Sequence, residues 1–73
     1  MTRNEIIKKL RDGEPIKLYR EKMFILIRLN KRDKGIHWER WISIDQRNWM
    51  NWNLFLSLKE VLTIIDNGKN QYV

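Results

Sequence analysis

The clearest pattern in the chain is the alternation from Met23 to Leu29. It predicts a strand with Met23, Ile25, Ile27 and Leu29 on one side and Phe24, Leu26 and Arg28 on the other. Pro15 to Tyr19 alternates in the same way and is joined to it by a charged turn, Arg20-Glu21-Lys22. A polar, glycine-containing connection over 30–35 leads to a third alternating run, Ile36 to Ile44. There Ile36, Trp38, Ile42 and Ile44 share one side with Arg40, while His37, Glu39, Trp41 and Ser43 take the other. Three such runs with short connections predict an antiparallel meander. Ahead of it, Thr2-x-x-Glu5 has the form of a capping box, and Ile6, Ile7 and Leu10 recur at helical spacing until Asp12-Gly13.

After Ile44 the period is read as helical. Asp45 is placed as an N-cap, and residues 46–66 as a long helix closed by Asn67-Gly68. At about 100° per residue, Met50, Leu54, Phe55, Leu58, Val61, Leu62 and Ile65 form a broad apolar face, and Trp49, Trp52 and Leu56 a narrower one. One stripe can cover the sheet. The other needs a partner, and a second copy of the helix would supply it. The expected fold is therefore α+β: a short antiparallel meander, then a long C-terminal helix, with a small N-terminal helix, assembled as a two-fold homodimer. Residues 1–73 form a single domain on this reading. It divides into a helical extension (1–13), the sheet (15–44), the C-terminal helix (45–67) and a tail (68–73). The dimer interface is assigned to Trp49, Trp52, Phe55, Leu58, Leu62 and Ile65.

Composition narrows the chemistry. At 73 residues without cysteine, the chain can form neither a disulfide nor a thiolate site, and a single domain of this size buries only ~60% of its unfolded surface. The longest apolar run, Met23-Phe24-Ile25-Leu26-Ile27, is too short to span a membrane. One histidine, His37, and acids placed at turns and helix ends offer no metal cluster, no paired carboxylates and no nucleophile–base relay. Neither an enzyme nor a cofactor is expected. The expected setting is intracellular: the cytoplasm of a bacterium or an infected host cell, or the nucleus in a eukaryote. The absence of alanine beside abundant Asn, Lys and Ile suits an AT-rich bacterial or viral genome.

Charge is unevenly spread. Twelve Lys and Arg face six acids in residues 1–44, and three face three in 45–73, so the whole net charge of +6 lies in the first part. Single-strand binders join a cationic track for phosphates to aromatic faces for bases. Tyr19, Phe24 and Trp41 are the candidate stacking rings. Lys17, Arg20, Lys22, Arg28 and Arg40, with the loop cations Lys31, Arg32 and Lys34, are the candidate phosphate contacts. The competing explanation is a solvated sheet face with ordinary surface cations. Trp38, Trp49 and Trp52 are better explained by packing than by stacking, since indole rings dominate cores and interfaces.

The junction Ile42-Ser43-Ile44-Asp45, three residues, then Trp49 resembles the strand–helix junction of the positive cofactor four family of transcriptional coactivators. The Tyr19-Arg20-Glu21-Lys22 turn and the strand ending at Arg28 are also similar. The resemblance spans about residues 15–66. It differs in a shorter Arg28-to-Ile42 connection, in Trp41 before the Ile-Ser pair, and in the initial helix. It implies a homodimer with helices at its centre and sheet grooves for single-stranded DNA, acting in transcription or at replication and recombination intermediates. RNA in place of DNA stays open. The alternative is a protein-interaction module that docks on RNA polymerase, another transcription protein or a host factor through its tryptophan-rich surface.

Overall fold

The computed structural model describes residues 2–31 and 35–72. The elements run α1 (Arg3–Arg11), β1 (Ile16–Arg20), β2 (Met23–Asn30), β3 (His37–Ser43), β4 (Met50–Leu56), α2 (Leu58–Ile65) and β5 (Gln71–Tyr72). All strands pair antiparallel in one sheet of order β4-β3-β2-β1-β5. The expected meander forms in β1, β2 and β3, with Ile16 opposite Ile27, Ile25 opposite Ile42 and Leu29 opposite Trp38.

Thr2 caps α1, its hydroxyl oxygen accepting from the Glu5 amide at 3.3 Å. The helix ends at Asp12, and Gly13 follows with φ +79°, a conformation that suits a residue without a Cβ. The helix then turns Ile6 and Leu10 onto the sheet. These join Ile16, Leu18, Ile25, Ile27, Trp38 and Leu56 from the strands and Val61, Ile64 and Ile65 from α2 in one core. Both helices lie on the same sheet face. Arg3 of α1 also clamps Asp66 at the end of α2, Nε to Oδ1 at 2.7 Å and Nη2 to Oδ2 at 3.1 Å.

The long helix expected over residues 46–66, and with it the C-terminal helical segment 45–67, does not form. Residues 46–49 are a bent connection, 50–56 an edge strand, and only Leu58–Ile65 is helical. Two local interactions explain the change. Asp45 does cap, but it caps a turn: its Oδ1 accepts from the amides of Arg47 (2.9 Å) and Asn48 (3.0 Å), while Gln46 sits at φ 61°, outside the right-handed helical region. The true helix start is Ser57, which forms a reciprocal capping box with Glu60. Between them, Met50, Trp52, Leu54 and Leu56 alternate with Asn51, Asn53 and Phe55, a strand pattern inside the apparent helical one.

The helix-centred dimer falls with the helix. Ile65 is buried in the core of its own chain, and Leu58 and Leu62 are partly buried against it. Trp49 belongs to the connection before β4, and Trp52 and Phe55 are exposed on β4 itself. The segment expected as a tail (68–73) carries β5, whose Tyr72 pairs with Leu18 and donates its hydroxyl to the Ile65 carbonyl at 2.8 Å. Asn70 Nδ2 donates to the carbonyls of Ile64 and Ile65, closing the end of α2. Among the described residues, no helix is long and apolar enough to cross a membrane.

The β1–β2 turn places Glu21 at φ 53° and Lys22 at φ 65°, which is costly for residues bearing a Cβ. Lys22→Gly should therefore stabilise the domain by about 1 kcal/mol, read as a higher denaturation midpoint with an unchanged m-value.

Candidate nucleic-acid interface

Because both helices occupy one face of the sheet, strand alternation delivers the opposite side chains to a face without a helical cover. Three cross-strand rows build it. Tyr19 lies opposite Phe24, which lies opposite Ser43; Lys17 opposite Leu26, opposite Trp41; and Arg28 opposite Glu39. The rings of Tyr19 and Phe24 are 4.9 Å apart at 54°, a tilted pair whose members remain partly exposed. The Arg28 guanidinium lies 5.2 Å over the Trp41 ring, and Lys17 Nζ lies 6.0 Å from the ring of Trp49 while donating to Gln46 Oε1 at 2.9 Å. Cations and rings are therefore interleaved over β1, β2 and β3.

Glu39 organises the middle of this face. Its side chain is only 7% exposed, and its Oε1 accepts from Arg28 Nε and from Trp41 Nε1, the latter at 3.2 Å. A buried carboxylate needs such partners. In return it fixes Trp41 in orientation and holds Arg28, itself 48% exposed, across one side of the indole. Arg28 is accordingly a structural cation as well as a surface one. Its planar upper side remains a platform on which a base can stack or a phosphate can dock.

Sheet parity divides the candidate set expected from the sequence. Lys17, Tyr19, Phe24, Arg28 and Trp41 come together on the open face. Lys31 stands exposed at the end of β2 and borders, with Arg28 and Glu39, a groove of 350 Å³. Lys22 is exposed in the turn. Arg20 and Arg40 are on the helix-bearing side, where they line a separate groove of 240 Å³ with Met23, Ile25, Ile42 and Trp52. There Arg40 donates to Asn53 Oδ1 at 2.8 Å and lies 5.8 Å over Trp52. Burial, then the charge of Arg20, press its guanidinium below the ordinary value, with Glu60 opposing them. Arg32 and Lys34 lie outside the described residues.

Trp49 is the member of the open face that sequence reasoning assigned elsewhere. It reaches Lys17 because the connection after β3 folds into a tight polar turn. Ser43 Oγ donates to Asp45 Oδ1 at 3.1 Å and accepts from the Gln46 amide at 2.9 Å. Ser43, Asp45 and Asn48 are the visible signals, turn-forming residue types clustered within six positions.

Comparison with known proteins returns no match to this chain from protein families, curated proteins or solved structures.

The turn at Asp45 has a pH signature. The amide of Asn48, then that of Arg47, hold its carboxyl at about 2 against an ordinary 3.8. A depressed carboxyl stabilises the fold fully above the unfolded value and ceases to do so as pH falls through the folded one. The Asp45 carboxyl resonance should titrate with a midpoint about 2, the Asn48 amide moving with it, and a midpoint at 3.8 would mean that the turn is not formed in solution.

Proposed function

We propose that the open face binds single-stranded nucleic acid, with DNA as the leading substrate class. The observation that carries this reading is the interleaving on one sheet face without a helix: Lys17 beside Trp49, Arg28 over Trp41, and the partly exposed pair Tyr19–Phe24. Bases offer faces to such rings only when unpaired, because a duplex stacks them against one another. The cations supply a sequence-independent attraction to phosphates, strengthened by a net charge of +6. Ring faces and cations meet every base and phosphate alike, so binding that tolerates sequence is the expected mode. Action on DNA unwound in transcription, replication or recombination would follow from such binding.

This reading stands on the face and not on the likeness to the positive cofactor four family, because the helix that the likeness would place at a dimer centre is absent. A protein-docking role for the tryptophan-rich surface is the second reading, and the exposed Trp52 and Phe55 of β4 favour it.

The two readings separate in a titration of intrinsic tryptophan fluorescence with a short oligonucleotide at low salt. Single strands should quench it, and a matched duplex of equal length should bind more weakly. With roughly three or four phosphates neutralised, the log–log salt slope should lie between about −2 and −3. Trp41→Ala and Tyr19→Ala should each weaken binding by about 1–3 kcal/mol. Lys17→Ala should reduce the salt slope at nearly unchanged stability. Arg28→Ala should weaken binding and also cost about 1–2 kcal/mol of stability, since it strips the buried Glu39 of a partner. Equal affinity for single strands and duplex, undiminished by Trp41→Ala, would refute the stacking mechanism.

A further inference from the structure

The two edges of the sheet are treated very differently. At one edge β5 is two residues long, and the Lys69–Glu21 ion pair (3.7 Å) stands nearby. Short strands and charges are the usual means by which an edge is kept from pairing with another chain. At the other edge β4 runs for seven residues, Met-Asn-Trp-Asn-Leu-Phe-Leu, with neither a charge nor a proline. Along it, Met50 is 69% exposed, Trp52 61%, Phe55 60% and Leu54 40%.

We infer that β4 is the interface of a homodimer formed edge to edge between two copies of this chain. The proposal is independent of nucleic-acid binding and does not use α2. Three observations select this occupant. First, the apolar side chains flank the strand on both sides of the sheet. Trp52 lies with Arg40 on the helix-bearing side, and the Phe55 ring meets His37 edge-on at 6.0 Å on the other. A partner seated on one face would cover one of these rings and leave the other in water, whereas a strand continuing the sheet covers both. Second, β4 is uncharged and residues 45–73 are electrically balanced, so two copies meet there without the repulsion that their basic first parts would impose. Third, at roughly 200 Å² for a large side chain, these four expose on the order of 450 Å² per copy. That is more than half of the ~800 Å² per partner of a standard interface before any backbone is counted.

The register shifts of β4 against β3, between Trp38 and Trp41, bend the strand but leave its outer side free of any further strand. Antiparallel pairing of β4 with its copy, about a two-fold axis normal to the sheet, is isologous and closes at two chains. It puts both helix layers on one side and both open faces on the other, so that the two cation–ring surfaces adjoin in one longer track.

Sedimentation of the wild-type chain from low to high micromolar concentration should show conversion to a species of twice the 9.1 kDa chain mass. Trp52→Glu and Phe55→Glu should each raise the dimer dissociation constant at least about thirtyfold. Asn4→Glu, adding the same charge to exposed α1, should leave it unchanged. Circular dichroism checks that each variant is folded, and wild-type amide exchange gives a reading without mutation: β4 amides should slow as concentration rises, while β5 amides should not. A monomer at every concentration, a dimer indifferent to both β4 changes, or concentration-independent β4 exchange would overturn the proposal. An oligonucleotide titration of the monomeric variants keeps the two readings apart. Binding that persists with a shorter occluded length per protein assembly supports the edge dimer, whatever the fate of the stacking mechanism.

Discussion

Leu10 and Leu18 are wholly shielded from solvent, as are Ile27 and Val61, and together they join both helices to the middle of the sheet. Everything else in the fold follows from the side on which this contact is made. A chain of this length has enough apolar residues for one dry layer between helices and sheet, and not for two. Once α1 and α2 have been committed to the face of Ile16, Leu18, Ile25 and Ile27, the side chains of opposite parity must live with water. The exposed face is thus a result of size, and the rings and cations that line it give it its chemistry.

Glu39 shows how such a face is kept in order. A carboxylate on the open side would ordinarily be solvated, yet here it is covered by the two residues it binds, Arg28 and Trp41. The arrangement trades one mobile cation for a fixed platform. An indole held at its N–H and overlaid by a guanidinium loses less freedom on meeting a ligand than a free one would, which is the general advantage of preorganised recognition.

Much of this architecture was legible in the sequence wherever the two faces of an element differ in chemistry. From Lys17 to Leu29 alternation marks the strands and their turn and puts Lys17, Tyr19, Phe24 and Arg28 on one face with Leu26. Arg20, grouped with them as a phosphate contact, has the parity of Leu18 and lies on the helix-bearing side. The same rule failed for residues 50–56, since both sides of an edge strand that nothing covers can be apolar. Met50, Leu54 and Phe55 then match a helical period when continued into Leu58, Val61, Leu62 and Ile65. The discriminating signals were local: the capping box Ser57-x-x-Glu60 in the middle of the supposed helix, and the weak helix formers Asn51 and Asn53. Arg40 was legible as sharing the parity of the core, and the structure accommodates it at the margin, beside Asn53 and Trp52. The burial of Glu39 and the approach of Trp49 to Lys17 were not legible, because both depend on side chains meeting across strands and turns.

The pairing of β5 with β1 also bears on the order in which the molecule comes together. Leu18 and Tyr72 are partners across fifty-four positions of chain, whereas β1, β2 and β3 follow one another closely in sequence. Contacts of large sequence separation are paid for in loop-closure entropy before they return any stabilisation. The meander can therefore zip early, while β1 keeps a bare flank until the helix beyond β4 has docked and swung Tyr72 into place. Completion of the sheet at β5 is in that sense a report that α2 has already found its seat, written by the Tyr72 hydroxyl on the last carbonyl of that helix.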